Sequence, residues 1–137
     1  MLRRFAWMLM PAALVWAGSF FLTIHGPAAA GQTKDAVLTV EAQGCQDYSQ
    51  ARITGQAEGI VKGQRQTISL ELTPTGKPGN YAVRKQWPAE GKWLLVFNGT
   101  SGERHTHTIV EFGPDGRLRP SLTMRPLSPK EIEAALR

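Results

Sequence analysis

Three features of the chain predict an all-β fold, an antiparallel β-sandwich of about seven strands followed by one short C-terminal helix. Apolar and polar residues alternate with period two from residue 36 onward, most cleanly at 67–72, where Ile68, Leu70 and Leu72 face one way and Thr67, Ser69 and Glu71 the other. Glycine- and proline-rich turns punctuate these segments at near-regular spacing. No helical crossover pattern separates the strands, which argues against an α/β arrangement and leaves a small closed barrel as the alternative.

The first thirty residues stand apart from that pattern. Arg3 and Arg4 precede an apolar run at 5–24, and the stretch closes on Ala28-Ala29-Ala30. A positive start, an apolar middle and small residues at the −3 and −1 positions of a cleavage site are what the export machinery reads. Residues 1–30 are therefore expected to be a signal peptide removed after Ala30, leaving a sandwich at 31–127 and a helix at 128–137. The run at 5–24 also has the roughly 20 residues needed to cross a bilayer core, so an uncleaved membrane anchor is the alternative. Pro11, Gly18-Ser19 and Gly26-Pro27 interrupt the run and favour cleavage. Both readings translocate the rest of the chain, because Arg3 and Arg4 hold the N-terminus in the cytoplasm. The expected location is the periplasm or the medium, or the inner membrane with a periplasmic domain if residues 5–24 are retained.

Along the remaining chain, residues 36–42 read as a strand with Leu38 and Val40 on one face. Residues 51–57 and 59–62 read as a strand interrupted by Gly55 and Gly59, with a bulge or bend near Glu58-Gly59. Lys62-Gly63-Gln64 turns the chain toward 67–72, and a turn-rich loop at 72–79 leads to a strand at 80–87 with Tyr81, Val83 and Trp87 on one face. Pro88-Ala89-Glu90-Gly91 reverses the chain again. Trp93-Leu94-Leu95-Val96-Phe97 is apolar on both faces and is expected to be a central strand covered from both sides. A hairpin loop at 98–102 leads to a strand at 104–112, and a last extended piece follows at 117–124. Ser128-Pro129-Lys130-Glu131 combines a capping serine, proline at the first helical position and glutamate three residues after the cap, which predicts the terminal helix.

Residues 31–137 fit one domain with one core. The formal charge of +5 includes Arg3 and Arg4, so the remainder carries 14 basic against 11 acidic residues, dispersed singly. That is a solvated basic surface, with no basic run of the kind a nucleic-acid partner requires. Cys45 is the only cysteine, so no intrachain disulfide supports the fold and the core must carry its stability. It is expected to be a small, partly buried residue between strands, the alternatives being a metal-ligand thiolate or an intermolecular disulfide.

At Gly79-Asn80-Tyr81-Ala82-Val83, followed by Trp87-Pro88-Ala89-Glu90-Gly91-Lys92-Trp93-Leu94-Leu95-Val96, the chain resembles the YtkA-like and FixH-like immunoglobulin-type domains of bacterial envelope proteins. The resemblance spans about twenty residues and implies an immunoglobulin-like sandwich in which Tyr81 and Trp93 fill one core. It bears on the fold more than on function, because such a fold hosts many roles.

His105-Thr106-His107 carries the chemistry on offer. Residues two apart in a strand project to the same face, so both imidazoles can converge on copper or zinc, with Cys45, Met124, Glu103 or Glu111 as candidates for a third ligand. The alternative is the polar outward face of an edge strand. A hydrolase would need a nucleophile, a base and an orienting group. Ser49, Cys45, His105, His107 and Asp47 supply the residue types without a motif that joins them, and no enzyme is expected. The sequence thus reads as a non-catalytic exported module, without a cofactor, that binds or supports an envelope partner; the alternative is copper handling through His105 and His107.

Overall fold

The structure, a computed structural model, describes residues 19–26, 35–112, 117–123 and 125–137. In chain order the elements are β1 (Phe20–His25), β2 (Ala36–Gly44), β3 (Arg52–Val61), β4 (Gln64–Leu70), β5 (Leu72–Pro74), β6 (Asn80–Arg84), β7 (Lys92–Ser101), β8 (Arg104–Phe112), β9 (Leu118–Thr123) and α1 (Pro129–Leu136). A four-stranded sheet in the order β1-β2-β6-β5 packs on a five-stranded sheet in the order β4-β3-β7-β8-β9, all antiparallel. The fold is an all-β sandwich. Leu38, Val40 and Val83 from one sheet meet Ala57, Trp93, Leu95, Phe97 and Val110 from the other, and these residues form the main core.

Two strands exceed the seven expected. One is β5, because the alternating run at 67–72 serves both sheets: β4 ends at Leu70 and β5 begins at Leu72 in the facing sheet. Glu71, between them, has no ladder partner among the described residues. Its N–H donates to Gln86 Oε1 at 2.8 Å and its carbonyl accepts from Gln86 Nε2 at 3.0 Å, so one side-chain amide satisfies the backbone where the chain changes sheets. The other is β1, drawn from within the stretch read as signal, so the sheet starts before residue 31. Phe20, Leu22 and Ile24 alternate inside a continuous apolar run, and periodicity cannot separate a buried strand from another apolar segment in such a run.

Strand β7 is central in its sheet and covered on both faces. Trp93, Leu95 and Phe97 point into the sandwich, while Leu94 and Val96 lie with Ile109 beneath Ile132 and Leu136 of α1. The helix begins as its sequence predicts: Ser128 Oγ accepts from the Glu131 N–H, the Glu131 carboxylate accepts from the Ser128 N–H, and Pro129 opens the first turn. Fully burying each of Ile132 and Leu136 contributes about 1.5–3 kcal/mol, which holds so short a helix in place.

Three local expectations change. Strand β3 has no bulge at Glu58-Gly59; its register with β4 and β7 is unbroken. Gly55 and Gly59 lie opposite Phe97 and Trp93, and a Cβ at either position would stand 2.7 Å or 2.5 Å from the aromatic ring, so these glycines provide room rather than a bend. The loop expected at 98–102 is mostly strand, since β7 runs to Ser101 and only Gly102 (φ 59°) and Glu103 turn. The strand expected at 80–87 ends at Arg84; Val83 and Trp87 still reach the core, while Tyr81 is half-buried.

Candidate functional site

Helix α1 covers only one end of the outward face of the five-stranded sheet. Beyond it the face is polar, because residues that alternate with the core side chains of β3, β7, β8 and β9 line up across the sheet. Thr54, Asn98, His107 and Thr123 form one row in register, and Arg52, Thr100 and His105 the next. Thr106 and Thr108, between and after the histidines, are buried on the inner side, as the two-residue period requires. Strand β8 lies between β7 and β9, and within the described residues β9 pairs with it as far as His107, so His107 is flanked on both sides, unlike in the edge-strand alternative, while His105 pairs with β7 alone.

Asn98 Oδ1 lies 2.6 Å from His107 Nδ1 and accepts its N–H, which leaves Nε2 with its lone pair. Partial burial, with the neighbouring charge of His105 as the second cause, lowers the His107 pKa and favours the neutral ring. His105 is exposed, with Nδ1 3.4 Å from Thr100 Oγ1. Two cross-strand side-chain pairs, Asn98–His107 and Thr100–His105, thus join β7 and β8 on this face. The face continues to the edge of β3: β4 pairs with it only as far as Leu70, opposite Gly55, and a cleft of about 560 Å³ beside it has Arg52, Thr54, Asn98 and Tyr81 in its lining.

The structure brings His105 and His107 onto one face, but among the described residues no group of three or more His, Cys, Asp or Glu side chains is placed to hold a metal ion. Cys45 lies at the end of β2 in the facing sheet and is exposed, not partly buried as expected. Its Sγ lies 3.5 Å from Ser19 Oγ, and that hydroxyl lowers the thiol pKa. Glu103 occupies the β7–β8 turn, and Glu111 pairs with Leu94 further along β8. Met124 lies outside the described residues, one position beyond Thr123, which pairs with His107. Asp47 and Ser49 are engaged with one another: the Ser49 N–H donates to Asp47 Oδ1 at 2.9 Å, an Asx-type turn that lowers the Asp47 carboxyl pKa.

One polar cluster on this face has no counterpart in the sequence reading. Glu58, 4% exposed, accepts from Thr67 Oγ1 at 2.7 Å, Gln56 Nε2 at 2.9 Å and Arg65 Nη2 at 3.2 Å. Thr67 is its cross-strand partner. The signal available beforehand was an acidic residue at an outward position of β3 beside a strand bearing Arg65 and Thr67.

Compared with protein-family models, with curated proteins and with solved structures, the chain matches none. The fold and this face define the class: an antiparallel β-sandwich that carries a helix on one part of one sheet and a polar surface that no other described residue covers on the rest.

Proposed function

We propose that the protein is an exported, non-catalytic β-sandwich module that acts by binding an envelope partner, and that the polar part of the five-stranded sheet beyond α1 is its contact surface. The observation that carries this reading is the unbroken polar row Thr54-Asn98-His107-Thr123, running from β9 to the edge of β3 and its adjoining cleft. Within this row the Asn98 and His107 side chains are already hydrogen-bonded to each other on adjacent strands, and Thr123 Oγ1 donates to the His107 carbonyl at 3.4 Å, so these groups lose little freedom on association, which suits a recognition surface. The export component rests on Arg3, Arg4, the apolar run and the small residues that follow it. The resemblance to YtkA-like and FixH-like envelope domains agrees with it.

A photo-crosslinking residue placed at Thr54 or His105 in cells should trap one and the same envelope protein, while placement at the exposed Ala134 of α1 should not. No adduct from Thr54 and His105, or the same adduct from Ala134, removes the surface from consideration. The second reading, metal handling with copper first, is favoured by one observation: two imidazoles share a face, and Asn98 holds one of them with Nε2 free.

A further inference from the structure

We propose that the export signal ends before β1, with cleavage after Ala17, so that residues 19–26 remain in the exported domain as the edge strand of the four-stranded sheet. This rests on the export reading above and changes where the mature chain begins.

Strand β1 is integrated into the sandwich on both of its faces. All six residues pair with β2 in continuous register, from Phe20 opposite Gly44 to His25 opposite Thr39. On the inner side Leu22 is 6% exposed within the main core, Ile24 packs against that core, and the Phe20 ring stacks on Tyr48 with centroids 4.4 Å apart. Gly99 of β7 leaves space for them: a Cβ there would lie 3.0 Å from Leu22 and 3.1 Å from Phe20. On the outer side Thr23 Oγ1 donates to Gln43 Oε1 at 2.8 Å, and His25 Nε2 lies 3.5 Å from the Glu41 carboxylate. The Ser19 carbonyl accepts from the Cys45 N–H at 3.2 Å. Cleavage after Ala30 would separate this strand from the domain, uncover the core beneath Leu22 and leave β2 as a bare hydrogen-bonding edge.

The apolar run at 5–24 then divides between two tasks. With 20–25 in a strand, the apolar residues left before it are too few for the roughly 20 that span a bilayer. Residues 5–15 instead have the length of an ordinary signal core, about 7–15 residues. Val15-Trp16-Ala17 closes that core with an aliphatic residue at −3 and a small one at −1, and Gly18-Ser19 leads directly into β1.

The test is the intact mass of full-length protein expressed in cells and recovered from the envelope. Gly18 is the expected N-terminus. Ala17→Trp should accumulate precursor, while Ala30→Trp should be processed normally. Leu22→Ala, introduced into the full-length chain, should lower the melting midpoint of the recovered protein by on the order of 10 °C, because the residue is still present and buried. A Gly31 N-terminus, or a melting midpoint indifferent to Leu22→Ala, overturns this proposal while leaving export intact. Full-length protein in the cytoplasm overturns the export reading and this proposal together, and full-length protein held in the membrane overturns cleavage.

Discussion

Gly59 of β3 lies directly opposite Trp93 of β7, and the indole covers the backbone where a side chain at 59 would stand. The Trp93 Nε1–H donates to the Glu90 carbonyl at 2.8 Å, which fixes the ring over the glycine. The arrangement recurs between Gly55 and Phe97 on the same two strands. Two large aromatics thus lie flat on the inner face of one sheet, and the glycines opposite them are part of the packing.

A side chain at 59 must displace the indole, so Gly59→Ala should cost about 1–3 kcal/mol, and Trp93→Ala about 3–5 kcal/mol. The two effects should not add. With Trp93 already truncated, Gly59→Ala should be close to neutral in urea unfolding, and an equal cost in both backgrounds would show that the relationship is not steric. Ser69→Ala, at an exposed outward position, serves as the control and should stay within about 0.5 kcal/mol.

Two threonines should respond in opposite directions. Thr108 Oγ1 is buried on the inner face without a hydrogen-bond partner among the described residues, so Thr108→Val should leave stability unchanged or raise it by about 1 kcal/mol. Thr67 is on the exposed side, but its hydroxyl bonds the buried carboxylate of Glu58, so Thr67→Ala should cost about 1–3 kcal/mol. Denaturant midpoints for the two variants test both signs at once.

Burial holds His107 below the ordinary imidazole value of 6.5, so the unfolded chain takes up its proton more readily than the folded one. Stability contributed at this position is complete above pH 6.5 and declines as pH falls from 6.5 toward the lower folded value. Melting curves between pH 7.5 and 5 should therefore lose less in His107→Gln than in the wild type. An identical slope in both proteins would mean that His107 is not the group responsible.

Titration calorimetry separates the binding and metal readings. If His105 and His107 hold an ion, Cu(II) should bind more tightly at pH 7.5 than at pH 5.5, because protonated imidazole does not ligate, and either His→Ala change should remove most of the affinity. Uptake no greater than that of the double variant would leave the partner-binding face as the standing reading.

The Ser19 hydroxyl favours the Cys45 thiolate, so Ser19→Ala should slow alkylation of Cys45 by iodoacetamide near neutral pH without changing the fold. A rate independent of Ser19 would show that the hydroxyl does not act on the thiol.

Much of this architecture is legible in the sequence. Alternation at 67–72 identified inward Ile68 and Leu70, the doubly apolar run at 93–97 marked the central strand, and Ser128 with Glu131 marked the helix start. The shared face of His105 and His107 follows from their spacing alone. The partner of His107 is not legible in the sequence, because Asn98 stands where the apolar strand gives way to a turn-like Asn-Gly pair, and only the β7–β8 register brings it to 2.6 Å.

The sequence by itself determined what depends on neighbours along the chain: the two-residue period, the turns, the helix cap and which side chains share a face of a strand. Only the tertiary structure decided that Gly55 and Gly59 receive aromatics, that the chain changes sheets at Glu71, that Glu58 is buried among donors and that residues 20–25 complete a sheet. The reason is one of range. A strand's alternation is written in its own residues, but the identity of the strand beside it and of the layer above it is set by pairings between segments far apart in the chain, and no local pattern records them.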